Sequence, residues 1–254
     1  MSGKHIRPLT GYAGLRVLAC VTVVAYHLNQ LRPIANLAQW NWNFYQFTET
    51  LTIVVSFFFI LTGLGIAQNY WRAILTDAPK PETRRVFVDR FFRIAPAYYL
   101  ALFASFGLWA WNSTVDMQSI GRLFSGVFFV TWLSPETFFP VEINGPLWYI
   151  SFDMMGSILV FGLMSVLMWV RKIWIPVIFA VVTAVLFWLH FWFVGLHFPQ
   201  MQGIASVWFP AYNPFIFGLH FLLGVLIAGV LVWQEKIQVR YSVWYDLVWI
   251  AIVG

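Results

Sequence analysis

Arg16 and His27 interrupt the first apolar stretch of the chain, which runs from Gly11 to Arg32. They stand eleven positions apart, about three helical turns, so they share one helix face with roughly 16 Å between them along the axis. An ionisable group inside a membrane-crossing helix is costly and turns towards protein or a wet cavity. The stripe therefore carries a cation towards one membrane surface and a titratable imidazole towards the other. A neutral imidazole oriented by a carboxylate can take a proton from a hydroxyl. The plainer reading is a snorkelling arginine and a hydrogen-bonded core histidine.

The carboxylate comes from Asp153, in the run GPLWYISFDMMGS at 145–157. A plain interhelical hydrogen bond to Ser, Tyr or backbone is the alternative. Trp148 and Tyr149 read as interfacial belt residues, and Ser151, two positions before the acid, can orient a neighbour. A second basic pair, Arg90 and Arg93, lies in VDRFFRIAPAYY. Three positions apart, the two guanidinium groups are near neighbours on one helix face and suit bidentate capture of phosphate. With Arg16 they form an anion pocket opening to the cytosol. Positive-inside charge explains Arg84 and Arg85 well, but Arg93 less well, because it is already inside an apolar run. Pro96 follows in the next turn, tolerated near a helix start or kinking the helix. Glu49, His190, His220 and Asp246 are isolated and read as solvated or packing groups. Cys20 is the single cysteine, which excludes a disulfide framework or a thiolate metal site. No four-ligand metal pattern, glycine-rich phosphate loop or GxSxG elbow is present.

The elements that must hold these groups are membrane helices. Of 254 residues, 61% are hydrophobic and only 10% charged, where soluble domains carry about a quarter. The chain is expected to be all-α: a polytopic transmembrane bundle of six to eight spanning or partly spanning helices, in one domain over 1–254. Apolar runs place spans near 11–32, 49–71, 91–111, 146–170, 173–194 and 212–233. The first is too long and too charged for a cleavable signal and reads as a signal anchor. A last run begins near Val243 and stops at Gly254, too short to cross. The chain therefore reads as a C-terminally shortened fragment.

The stretch 119–139 is ambiguous, and charge decides it. If it spans, Arg171, Lys172, Lys236 and Arg240 fall outside. If it does not, those four join Lys4, Arg7, Arg72, Lys80, Arg84, Arg85 and Arg90 on one side, while 33–48 and 195–211 hold no Lys or Arg. The stretch is therefore read as non-spanning, the N-terminus as cytosolic, and 112–145 as an outside excursion carrying Asp116, Glu136 and Glu142. Asp153 and His27 then share a depth in the outer half of the bilayer. The net charge of +5 reflects these loops and implies no nucleic-acid partner.

Four of these features occur together in order: Arg16 and His27 with ten residues between them, FFFILTGLGIA in the second span, Arg90-x-x-Arg93 followed by Ile94-x-Pro96, and LWYISFD. The combination resembles the acyltransferase-3 family of integral-membrane acyltransferases, over roughly residues 5–170. The resemblance implies an acyl group, typically acetyl from cytosolic acetyl-CoA, passed to a hydroxyl of an extracytoplasmic carbohydrate or lipid-linked acceptor, with the bilayer of the inner or plasma membrane as host. It implies that His27 is essential to transfer, with Asp153 beside it as the catalytic pair, and that Arg16, Arg90 and Arg93 bind acyl-CoA. No metal is implied. Asp153 stands where the family has Glu in a pattern like LWSLSVE, and the missing methylene shortens its reach towards His27. Met154 and Met155 stand where Phe-Tyr often follows the acid. The family has more spans than this chain supplies. A proton-coupled transporter is the competing reading, since buried His and Asp also build proton relays.

Overall fold

The computed structural model describes residues 12–31, 53–76, 78–197 and 213–237. Lys4, Arg7, Glu49, Arg240, Asp246 and the apolar run from Val243 lie outside the described residues, as do the loop 33–48 and most of 195–211. Seven α-helices and no strand occur among the described residues: α1 (Tyr12–Leu31), α2 (Ile53–Thr76), α3 (Thr83–Asn112), α4 (Met117–Val127), α5 (Trp148–Leu167), α6 (Ile175–His197) and α7 (Pro214–Lys236). Five of them, α2, α3, α5, α6 and α7, are long and apolar enough to cross a membrane. The all-α membrane bundle expected from the sequence is therefore what forms.

The helices divide into a centre and a periphery. In the apolar windows of α2, α5 and α7, 56%, 56% and 50% is buried, against 22% for α3 and 11% for α6. α1 also turns much of its surface outwards through Val17, Leu18, Val21 and Val24. In a bilayer such surfaces face lipid at no hydrophobic cost, so helix association rests on close packing and polar contacts. The most extensive interface joins α2 to α7. A Cβ on Gly63 would lie 2.2 Å from the Phe221 carbonyl oxygen, and one on Gly224 would lie 2.0 Å from that of Ile60. The two backbones can approach this closely only because those positions lack side chains. Trp71 Nε1 donates to the Val225 carbonyl at 2.8 Å, and Arg72 grips Glu235 through Nε and Nη2 at 3.3 and 3.2 Å. Phe59, Phe152, Phe217 and Phe221 fill the joint with α5, at ring separations of 4.6 Å for Phe59–Phe217 and 5.1 Å for Phe152–Phe217.

The ambiguous stretch does not cross. α4 has 11 residues, about 16 Å of helix, half of a hydrocarbon core of about 30 Å. Short 3-10 turns follow at Thr131–Leu133, Pro135–Thr137 and Glu142–Leu147. Asp116 starts α4 with a capping box: its carboxylate accepts from Ser119 N at 2.8 Å, and Asp116 N donates to Ser119 Oγ at 3.0 Å. α3 begins eight residues earlier than the hydropathy run suggested, because Thr83–Arg90 is polar but helical. Pro96 lies inside this unbroken 30-residue helix, costing one backbone hydrogen bond without ending it.

Candidate functional site

One polar joint fixes the levels of three helices. Tyr70 on α2 donates to Thr83 Oγ1 at 2.6 Å, and Thr83 Oγ1 lies 3.5 Å from Ser165 Oγ on α5. From this joint Arg90 is about 10 Å along α3 and Asp153 about 18 Å along α5. Arginine's long stem closes the difference. Arg90 Nη2 donates to Asp153 Oδ2 at 2.5 Å, and Thr62 Oγ1 on α2 donates to Asp153 Oδ1 at 2.9 Å. Arg90 Nη2 also lies 3.4 Å from Thr62 Oγ1. Three central or flanking helices thus meet at one carboxylate whose side chain is 5% exposed.

Arg16 reaches the same level from α1. Its Nη2 donates at 3.2 Å to the carbonyl of Leu61, the residue before Thr62, and it lies close to Gly65. Tyr149, one turn before Asp153, lies within electrostatic reach of Asp153, Arg90 and Arg16. Arg90 Nε is buried without a hydrogen-bond partner, so a donor of this guanidinium remains to be satisfied.

The structure assembles the expected residues differently from the sequence reading. Arg16, Arg90 and Asp153 come together. The expected His27–Asp153 contact is not made: Asp153 is taken by Thr62 and Arg90. The physical reason is helix rise. His27 stands about 16 Å along α1 from Arg16, and it is the Arg16 guanidinium that lies at the carboxylate's level. The three-arginine pocket is also divided. Arg90 turns inwards to Asp153, while Arg93 is exposed on α3. Thr62 and Tyr149 were missed as members of the site. Tyr149 had a signal in its spacing, four residues before Asp153 and so on the same face; Thr62 had none, because its helix partner cannot be read from one segment. His190 and His220 lie apart from this cluster. His190 Nδ1 accepts from the Asn213 amide at 2.9 Å; Asn213 Oδ1 is occupied by the backbone N–H groups of Phe215 and Ile216. His220 Nδ1 is buried without a partner. No cluster of three or more potential metal ligands exists among the described residues.

Helices this apolar, gathered about a buried ion pair, define an integral membrane protein with its polar centre inside the bundle. Comparison with known families takes the identification further. The model of the acyltransferase-3 family, described as an acyltransferase domain, matches residues 10–254. The chain belongs to that family and is in general terms a membrane acyltransferase. No curated protein and no solved structure matches it.

Proposed function

We propose that the protein moves an acyl group, typically acetyl, from cytosolic acyl-CoA to a hydroxyl on an extracytoplasmic glycan, glycolipid or related acceptor. The observation that supports this best is the placing of Arg16 and Arg90 around Asp153, about 18 Å from the Thr83–Ser165 joint. Two guanidinium groups at one level suit a polyanionic donor, and the ~16 Å from Arg16 to His27 suits an extended acyl-bearing arm. The basic end of the bundle, with Arg72, Lys80, Arg84 and Arg85, faces the cytosol in this reading.

His27 acts as the base. It takes the acceptor's hydroxyl proton as the oxygen attacks the thioester carbonyl. The C–S bond breaks, and the imidazolium returns the proton to the leaving thiolate, giving an ester and free CoA. Asp153 acts through Arg90: it holds the guanidinium inside the bundle and neutralises its charge, so that Arg90 presents directed donors. Arg93, exposed and nearer the middle of α3, binds donor phosphate from the helix surface.

The test is mass spectrometry of surface glycans from cells with and without the protein, together with thiol release from acetyl-CoA by isolated membranes. An acetyl mass increment removed by mild base, lost in His27→Ala, is expected. Full acetylation in His27→Ala would overturn the assigned base, and no thiol release by the wild type would overturn the reading itself. Arg93→Ala is expected to raise the KM for acetyl-CoA several-fold more than it lowers kcat; an unchanged KM would leave Arg93 a topological charge.

A further inference from the structure

Tyr149 is held by aromatic rings and presents a phenol hydroxyl beside the ion pair's helices. Its ring stacks on Phe59 at 5.0 Å and 21°, meets Phe58 edge-on at 5.8 Å and lies against Trp148 at 6.3 Å. The ring is therefore fixed from two helices, and its hydroxyl comes within electrostatic reach of Asp153, Arg90, Arg16 and Cys20. The other tyrosines whose side chains are described all donate: Tyr70 to Thr83, Tyr98 to the Gly126 carbonyl at 2.9 Å and Tyr99 to the Val127 carbonyl at 3.0 Å. The Tyr149 hydroxyl makes no hydrogen bond among the described residues. The residue is half-buried, so this hydroxyl remains open to a ligand. Beside it, Arg90 Nε is also a donor without an acceptor. Two vacant donors from two helices, next to one ion pair, call for a ligand rich in acceptor oxygens.

Position selects which part of that ligand. Tyr149 stands one turn beyond Asp153 on α5, farther from the Thr83–Ser165 joint than the ion pair, and it packs on Phe58 and Phe59, about one turn before the Leu61 carbonyl that Arg16 binds. A donor anchored at Arg16 and extending towards His27 passes this hydroxyl with its uncharged arm, after its phosphates and before its thioester. Resting on the function proposed above, we propose that Tyr149 binds the acyl donor by donating its O–H to an amide carbonyl of the pantetheine arm. Tyr149 is then a donor-binding residue and not part of an interfacial belt. No bond is made or broken at it; the contact is the same in ground and transition states, so it acts on KM.

The experiment compares wild type with Tyr149→Phe, which keeps the ring stack and removes only the hydroxyl, in membranes normalised for protein amount. One neutral hydrogen bond corresponds to a KM for acetyl-CoA raised about 3- to 10-fold, with kcat and acceptor KM unchanged. The same factor is expected with S-acetylpantetheine, which keeps the arm and lacks the nucleotide phosphates. A factor seen with acetyl-CoA and absent with S-acetylpantetheine overturns the arm assignment in favour of a phosphate contact. Unchanged KM with both donors overturns the inference altogether. Wild-type membranes that release no thiol from either donor overturn the functional reading, and this inference with it.

Discussion

Asp153 gathers Arg90 and Thr62 onto one buried carboxylate, and the energetics of that knot are testable at single side chains. Removing one member of a buried ion pair leaves a charge with no compensation and costs about 3–5 kcal/mol, whereas replacing both members by apolar groups is often near neutral. Arg90→Met and Asp153→Leu alone are therefore expected to lower thermal stability in detergent sharply, and the double variant to regain most of it without regaining acyl transfer. Additive losses in that double-mutant cycle would show the pair to be uncoupled. Thr62→Val should lower activity and stability together, by about 1–3 kcal/mol for a buried acceptor left short of a donor, with Thr62→Ser restoring both. If Val and Ser behave alike, the hydroxyl is not what orients the acid. That Asp153 mattered was legible from its type and place in an apolar run. Its partner was not, because pairing depends on how far a long arginine stem climbs from its own turn, and the depth of a Cα says little about the depth of a guanidinium.

At the scale of elements, spans were easy to read and interfaces were not. Hydropathy reports how apolar a segment is, so α2, α5, α6 and α7 emerged with ends a few residues off, and α3 lost its polar first two turns. Which faces meet is written instead in single positions such as Gly63 and Gly224, which look like any other glycines until the crossing of α2 and α7 is known. Gly224→Ala puts a methyl 2.0 Å from the Ile60 carbonyl oxygen, while at Gly162 nothing lies within 4 Å of the added carbon. The first substitution should destabilise by about 1–3 kcal/mol or more through overpacking and the second by far less, as read from melting of the purified protein. Equal melting temperatures would mean that α2 and α7 do not pack as described. α4 offers a pH-dependent element. The backbone N–H of Ser119, then its side chain, holds the Asp116 carboxyl below the usual carboxylate range. A group whose pKa falls on folding stabilises the folded form above its unfolded pKa, and that contribution disappears as pH drops through the folded value. Amide exchange at the start of α4 should therefore quicken at acid pH in the wild type and be fast and pH-insensitive, beyond intrinsic exchange, in Asp116→Ala. A wild type that shows no acid-dependent opening there would remove the cap from the account of how α4 begins.

For the whole molecule, the placement of 113–147 outside the set of spans decides which groups share a membrane surface. An 11-residue α4 and its 3-10 turns keep α3 and α5 consecutive as spans, so Thr83 and Ser165 return to one level and Asp153 lies towards the other end of the bundle. Were the stretch a span, α5 would run the opposite way, and Arg90 could not reach Asp153 from the Thr83 end. The competing transporter reading also weakens at this scale, since a proton relay from His27 to Asp153 is interrupted when the acid is committed to Arg90. The orientation expected from the charge on the connections can be measured on the intact chain. With Cys20 replaced by serine, a cysteine at exposed Thr114, in the α3–α4 turn, should react with a membrane-impermeant maleimide on whole cells. A cysteine at exposed Lys80, in the α2–α3 connection, should react only after the membrane is opened. The reverse pattern would put Arg72, Arg84 and Arg85 outside, and the proposed acyl-CoA donor would then have to enter from a compartment that does not hold it. Reaction of both positions on intact cells would mean that α3 does not cross, and the shared level of Arg16, Arg90 and Asp153 would lose its meaning as a depth in the bilayer.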